Sequence, residues 1–89
     1  MVCKKVIIKN KSGLHARPAS VLVRIANEFK SDIYIKKDSA TVSAKSIMGV
    51  LVLGVSKGDE IIIQADGSDE VEALEAIVKM IKLKFNEED

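Results

Sequence analysis

The sequence predicts an α+β fold, an open sandwich in which helices cover one face of a mostly antiparallel β-sheet. Two patterns indicate this class. Short β-branched stretches with partial polar alternation are typical of strands, and apolar residues three and four positions apart are typical of amphipathic helices. They follow one another in the order β-α-β-β-α-β-α. With 89 residues and no linker, repeat or low-complexity segment, we expect one domain over residues 1–89.

Four strands are predicted. The first covers residues 2–9, which are rich in β-branched side chains, and it ends at the turn-forming residues 10–13. The second covers residues 32–36, and the third lies around residues 41–43 after a polar turn, so these two are expected to form a hairpin. The fourth covers residues 60–65.

The first two predicted helices differ in length. The first begins at Ala16 and ends near Lys30. Its apolar stripe comprises Leu22, Ile25, Ala26 and Phe29. The second is a short apolar segment between Ser46, a favourable N-cap, and Gly54, a favourable residue after a helix end, although Gly49 inside it disfavours a helix.

The third helix has the clearest start signal. Asp69, followed three residues later by Glu72, predicts a capping box of the acidic kind. Glutamates precede lysines along the segment, which suits the helix dipole. The expected core stripe comprises Val71, Leu74, Ile77, Val78, Ile81 and Phe85.

Composition limits the function classes. The net charge is only +1, and there are two Phe, one Tyr and no Trp, which disfavours a nucleic-acid binder. Cys3 and His15 are the single cysteine and histidine, so we expect no disulfide within the chain, no metal site and no other cofactor. Without a signal peptide or an apolar run long enough to cross a bilayer, the expected protein is cytoplasmic and has no membrane insertion.

One segment has the residue types of a chemical site. Residues 13–19, GLHARPA, lie where the first turn enters the first helix. Pro18 is suited to a first helical turn, which places His15 near the N-cap, although proline disfavours helical geometry at Arg17 and is compatible with an irregular first turn. The backbone N–H groups of Ala16 and Arg17 would then form an anion site at the positive end of the helix.

The side chains of this segment suit phosphate chemistry. The His15 imidazole is a nitrogen nucleophile, and the Arg17 guanidinium is a forked donor that matches phosphate oxygens. This combination indicates reversible phosphorylation of the imidazole. The residues alone leave a second interpretation open, in which His15 is a capping or surface residue.

Two helix faces are candidates for partner contact. Four residues of the first helix share a face other than the core stripe, which leaves the apolar Val21 exposed beside the site. They are Arg17, Ser20, Val21 and Arg24. In the second helix Ile47, Met48 and Leu51 share a face, and the flexible Met48 favours a contact surface. Burial of all three fits the same spacing.

Ser46 has two interpretations. As an N-cap, it satisfies a backbone N–H and needs no other function. A phosphate on the same hydroxyl would lie at the favourable end of the helix dipole and add negative charge beside the apolar residues of the second helix.

Both motifs together resemble the HPr family, the histidine-containing phosphocarriers of the bacterial sugar phosphotransferase system. Residues 13–19 are similar to the family's active-site signature, and residues 45–50, KSIMGV, to the regulatory serine segment of its Gram-positive branch. The resemblance covers essentially the whole chain. It implies an open-faced β-sandwich of four antiparallel strands with three helices on one face.

The resemblance also implies a mechanism and partners. Enzyme I would phosphorylate His15 at Nδ1, sugar-specific IIA domains would take the phosphoryl group, and Arg17 would stabilise the phosphohistidine. Ser46 would be the target of an HPr kinase/phosphorylase, and its phosphorylated form would bind a catabolite-control transcription regulator. Val21, Met48 and Leu51 would form a shared docking surface, with Ser20, Arg24 and Ile47 beside it. The protein would be a phosphoryl carrier and not an enzyme.

Three hypotheses therefore compete. The first is the carrier, which the presence of His15 favours, because regulatory relatives without carrier function have lost this histidine. The second is a regulatory module that acts only through Ser46. The third is a small α+β domain that binds nucleic acid or metal, which the near-neutral charge and the missing ligands disfavour.

Overall fold

A computed structural model describes residues 1–86 and has the predicted order of elements. The strands are β1 (Val2–Ile7), β2 (Asp32–Lys37), β3 (Ala40–Ser43) and β4 (Glu60–Asp66). The helices are α1 (Ala16–Ala26), α2 (Ile47–Leu53) and α3 (Glu70–Lys82), and a 3-10 turn (Lys84–Asn86) follows α3.

The four strands form one sheet in the order β1-β4-β2-β3, and every neighbouring pair is antiparallel. The predicted β2–β3 hairpin is present, with Lys37 opposite Ala40 at its closed end. Asp38 has a φ of 55° in that turn, a left-handed conformation that Asp tolerates better than most residues. Alternation then directs Ile33 and Ile35 inward and Tyr34 outward.

The core lies between one face of the sheet and the helices. The inward side chains of β2 and β4 are aliphatic, and they pack with the apolar faces of the helices into one buried cluster. Members of this cluster include Ile33, Ile35, Ile61, Ile63, Leu22, Ala26, Val50, Ala73, Ile77 and Ile81. The opposite face of the sheet carries polar and exposed side chains. The fold is therefore the predicted open-faced α+β sandwich.

The first helix is shorter than predicted. It ends at Ala26, and Asn27 forms its C-cap instead of continuing toward Lys30. The Asn27 side-chain amide donates to the carbonyl oxygens of Val23 at 2.9 Å and Lys45 at 3.2 Å. Because this amide joins the end of α1 to the segment before α2, tertiary contact ends the helix where local spacing would extend it. The first strand is also shorter than predicted and ends at Ile7.

The predicted capping box of α3 is wrong. Asp69 is the N-cap, but its side chain does not cap the helix. It accepts instead from the backbone N–H groups of Lys30 and Ser31, both at 2.9 Å, and from the Ser31 hydroxyl. Glu70, not Glu72, turns back to the preceding loop and accepts from the Gly67 N–H at 3.1 Å.

The predicted core stripe of α3 is correct at some positions only. Ile77, Val78 and Ile81 are buried, whereas Val71 is exposed and its place in the core is taken by Ala73. Leu74 is half-buried, and Phe85 is buried but lies in the 3-10 turn beyond the helix end.

Candidate functional site

His15 lies at the N-cap of α1, as predicted, with an extended backbone at φ −77° and ψ −172°. Its carbonyl oxygen accepts from the Ala19 N–H at 2.8 Å and so closes the first helical turn. Its imidazole makes no capping hydrogen bond, and the residue is exposed. The backbone of His15 therefore starts the helix while the ring stays accessible to other molecules, which disfavours the capping interpretation.

The loop before His15 is held from two sides. The buried Asn10 donates from Nδ2 to the Gly13 carbonyl oxygen at 2.8 Å. The Leu14 N–H donates to the Val55 carbonyl oxygen at 2.9 Å, and the Leu14 side chain is buried in the core. These contacts fix the backbone immediately before the histidine.

Gly13 is required at this position for two reasons. Its φ is +62°, in the left-handed region that favours glycine. In addition, a Cβ at Gly13 would lie 2.5 Å from the Val55 carbonyl oxygen and 2.8 Å from the Ser56 Cα. The turn can therefore approach the segment before β4 only when residue 13 has no side chain.

The start of α1 has the features of an anion-binding helix end. Ala16 and Arg17 occupy its first two positions, where the intrahelical ladder supplies no partner for the backbone N–H groups. Pro18 follows, is buried and has no N–H, and the helix is regular from Ala16 onward, so the first turn is not irregular. There is no acidic side chain in the first turn, so nothing there repels a negatively charged group.

Arg17 brings a positive charge to this helix end. Its side chain is exposed, and within residues 1–86 it takes part in no ion pair. Ser20 and Arg24 are exposed farther along the helix. Val21 does not meet the expectation of an exposed residue, because it is half-buried and packs against the core.

Ser46 is the N-cap of α2, as predicted. Its Oγ accepts from the Gly49 N–H at 3.1 Å, and its carbonyl oxygen accepts from the Val50 N–H at 3.0 Å. The residue is exposed, so its hydroxyl is accessible although it caps the helix. A Cβ at Gly49 would lie 3.4 Å from the Val42 side chain, about van der Waals contact, so α2 packs closely against β3 at this point.

An apolar surface covers the outer side of α2. Met48 is 66% and Val52 is 77% exposed, and Ile47 and Leu51 are each more than one third exposed. We call these four residues the α2 apolar patch. The interpretation that Ile47, Met48 and Leu51 are all buried is therefore wrong, since Val50 is the buried residue of this helix. Sequence analysis missed Val52, although its position four residues after Met48 places both on one face.

The described part of the chain contains neither a metal-binding cluster nor a membrane-spanning helix. No group of three or more His, Cys, Asp or Glu residues within residues 1–86 is arranged to hold a metal ion. Across the same residues, every helix is too short or too polar to cross a membrane.

A family model and individual relatives assign this chain to the same protein family. A family model described as the PTS HPr component phosphorylation site matches residues 2–82. The phosphocarrier protein HPr of Treponema pallidum is 44% identical over 88 residues, which cover 99% of this chain and 100% of that protein. The HPr-like protein Crh of Bacillus subtilis is 48% identical over 82 residues, covering 92% of this chain and 96% of that protein.

Structural comparison agrees with the sequence matches. The crystal structure of HPr-C-His from Thermoanaerobacter tengcongensis superimposes with a TM-score of 0.98 at 49% sequence identity, and each chain is covered completely. The match includes the four-stranded antiparallel sheet and the three helices described above.

Proposed function

The chain belongs to the HPr family of phosphocarrier proteins of the phosphotransferase system, and on that premise we propose that His15 accepts a phosphoryl group from phospho-enzyme I and donates it to IIA domains. Members of this family carry phosphoryl groups and are not catalytic enzymes. Family membership also implies partners from the phosphotransferase system such as enzyme I and IIA. A cytoplasmic location belongs to the same proposal.

The proposal depends most on one observation: His15 begins α1 with its backbone, while its exposed side chain makes no capping hydrogen bond. In the proposed step, the lone pair of Nδ1 attacks the phosphorus atom. The bond between phosphorus and the donor breaks, and its electron pair stays with the donor. Transfer onward is the same exchange in reverse, with the acceptor as nucleophile and Nδ1 as leaving group, so no net oxidation or hydrolysis occurs.

The residues after His15 would stabilise the negative charge of the phosphoryl group. The N–H groups of Ala16 and Arg17 and the positive end of the α1 dipole favour negative charge at this place. The Arg17 guanidinium would donate to phosphoryl oxygens and stabilise the phosphohistidine. Because Pro18 has no N–H, it adds no donor, and its fixed φ supports the helix start.

Docking is proposed to use the surface beside this site. The α2 apolar patch would meet apolar residues of each partner, and Ser20, Val21 and Arg24 would extend the surface along α1, which packs against α2. A carrier must leave one partner before it meets the next, so small contact areas and rapid dissociation suit its task.

Ser46 is the proposed regulatory residue. Phosphorylation by an HPr kinase/phosphorylase would add negative charge next to Ile47 and Met48 at the start of α2. This charge would weaken docking of enzyme I and create a site for a catabolite-control transcription regulator. The similarity to HPr-like protein Crh supports a second candidate, a regulatory module that acts through Ser46 alone.

Transfer to His15 can be tested directly. The protein is incubated with enzyme I and phosphoenolpyruvate, and its intact mass is measured before and after acid treatment. We expect one acid-labile phosphoryl group in the wild type and in Ser46→Ala, and none in His15→Ala.

The Ser46→Ala variant separates the two candidates. A carrier retains transfer from enzyme I in this variant and loses phosphorylation by kinase and ATP. If the folded wild type accepts nothing from a matched enzyme I but is phosphorylated at Ser46 by the kinase, the carrier proposal is wrong and the regulatory module remains.

A further inference from the structure

The free edge of the sheet at β1 adjoins an open cavity. Among residues 1–86, β1 pairs only with β4, so its other side is an edge of the sheet. A cavity of about 430 Å³ is lined by the consecutive residues 4–7 together with Lys82. Since consecutive strand residues point to opposite faces, a cavity that contacts all four spans both faces of β1 along its edge, and it also reaches the exposed Glu60 of β4.

The backbone of β1 has hydrogen-bonding groups on this edge. At the end of the strand, the Ile8 N–H donates to the Asp59 carbonyl oxygen at 2.9 Å, and the Ile8 carbonyl oxygen accepts from the Gly58 N–H at 2.7 Å. Both backbone groups of Ile8 therefore point toward β4. Alternation along an antiparallel strand then directs the groups of Cys3, Lys5 and Ile7 to the free edge.

Next to this edge lies an apolar surface of α3 and the residue after it, formed by Leu74, Val78 and Leu83, which we call the α3 floor. A second cavity of about 410 Å³ shares Lys4 and Lys82 with the first and is lined also by Leu74, Val78 and Leu83. Leu83 is 52% exposed, so apolar surface is available here without any rearrangement. A strand added beside β1 would place every second side chain over this floor.

The positive charge around the two cavities favours an acidic segment as the strand that would be added beside β1. Five lysines line them against two glutamates, although the chain as a whole carries only +1. The lysines are Lys4, Lys5, Lys9, Lys79 and Lys82. Lys5 faces Glu60 at 3.8 Å, and the four other lysines take part in no ion pair within residues 1–86. A second copy of this chain would oppose lysines to lysines, which is unfavourable.

We propose that the β1 edge binds an acidic, extended segment of a partner protein, which adds to the sheet as a fifth strand. Its backbone would pair with Cys3, Lys5 and Ile7, its Asp or Glu side chains would lie near Lys4 and Lys82, and an aliphatic side chain would lie over the α3 floor. This surface uses neither His15 nor the α2 apolar patch, so it is independent of phosphoryl transfer.

The probe for this surface is a fluorescently labelled synthetic peptide, Thr-Asp-Thr-Leu-Thr-Glu-Thr, whose Asp, Leu and Glu share one face of an extended strand, titrated with the full chain and followed by anisotropy. We expect saturable binding that weakens as salt is added. Lys4→Glu combined with Lys82→Glu should weaken binding by about ten-fold or more, because two attractions become repulsions. Lys36→Glu combined with Lys30→Glu, two exposed positions outside both cavities, is the control with the same change in charge and should change affinity by less than about two-fold.

Amide hydrogen exchange measured by NMR tests the geometry. Peptide binding should slow exchange at Cys3, Lys5 and Ile7 and leave Lys4 and Val6 nearly unchanged, since the latter already pair with β4. Replacing the central three peptide residues by Pro, one at a time, should weaken binding most at alternate positions, those whose N–H faces β1.

Several results would overturn the proposal. They are equal loss of binding in the control with Lys30 and Lys36 replaced, protection on the α2 apolar patch instead of the alternate residues of β1, and dimerisation of the chain without peptide. A large gain in peptide affinity after neutralising Glu87, Glu88 and Asp89 to the corresponding amides would overturn it as well, because the chain's own acidic end would then be the occupant.

Discussion

The beginnings of α1 and α3 are built in opposite ways. At α3 the chain supplies its own negative charges: Glu70 and Glu72 lie in the first turn, and Glu70 pairs with the amino group of Met1 at 3.1 Å. At α1 there is no acidic residue in the first turn, and the N-cap side chain, His15, makes no capping bond. At α3, acidic side chains of the protein itself compensate the positive end of the helix dipole, so this helix start serves the fold. At α1 no acidic side chain does so, and the positive end can bind an external anion.

The two starts also differ in how the residues before them are held. Gly67, before α3, approaches Ser31, and Asp69 binds the same loop through three hydrogen bonds. Before α1, the contacts of Gly13 and Leu14 with the segment at Val55 involve the backbone. Because this loop is held by these backbone contacts and by the Asn10 side chain, positioning it requires neither the His15 nor the Arg17 side chain.

The largest effect is expected from Gly13→Ala. The new Cβ would meet the Val55 carbonyl oxygen, and the left-handed φ would be strained, so we expect a loss of about 2–4 kcal/mol in the free energy of unfolding. Urea unfolding measures it. Gly58→Ala is the matched control, since Gly58 has a φ of +95° but nothing within 4 Å of its Cβ position. There only the φ cost of about 1 kcal/mol is expected.

Equal losses in the two glycine variants would contradict this explanation. They would mean that the left-handed φ, and not the close approach to residues 55 and 56, makes glycine necessary before His15. The approach would then contribute little to the position of the histidine.

An intermediate effect is expected from Arg17→Gln. If Arg17 stabilises the phosphoryl group, its loss should slow transfer from phospho-enzyme I by about ten-fold, the cost of one charge-assisted hydrogen bond. Single-turnover transfer at saturating donor measures this rate. Lys11→Gln removes the same charge from an exposed residue in the turn before His15, outside the helix start, and should change the rate by less than about three-fold. Equal slowing in both variants would indicate that only general positive charge matters.

Sequence analysis predicted the fold because its signals are local. The alternation in β2, the β-branched residues of β4 and the helical spacing in α1 and α3 each lie within a single element, and the packing of the core agrees with them. The N-cap positions of His15 and Ser46 were predictable for the same reason, since Pro18 and the apolar run after Ser46 mark the helix starts.

The errors share a physical cause. The predicted capping box failed because Ser31, 38 residues away from Asp69, offers an N–H and a hydroxyl that no local pattern reveals. The end of α1 was misplaced because Asn27 binds Lys45 across the fold. The contact of Gly13 with residues 55 and 56 was equally hidden, since it joins distant parts of the chain.

The smallest effect, and the one most specific to the start of α3, concerns pH. Hydrogen bonds from the Ser31 hydroxyl and from the backbone N–H groups of Lys30 and Ser31 lower the pKa of Asp69 from 3.8 to about 2. A carboxyl group with a depressed pKa in the folded state stabilises the fold above its unfolded pKa and loses this contribution as the pH falls through the folded value. The contribution of Asp69 should therefore be complete at neutral pH and disappear between pH 3.8 and about 2.

Urea unfolding of the wild type and Asp69→Asn across this range measures the contribution. The unfolding midpoints should differ at neutral pH, with the variant less stable, and should converge as the pH approaches about 2. Asp32→Asn, an exposed position at the start of β2, is the control and should leave the midpoint unchanged throughout. A difference between wild type and Asp69→Asn that persists below that pH would mean that the geometry of the side chain, and not its charge, joins α3 to the Ser31 loop. The contrast between a charged start of α3 and an open start of α1 would then rest on Glu70 and Glu72 alone.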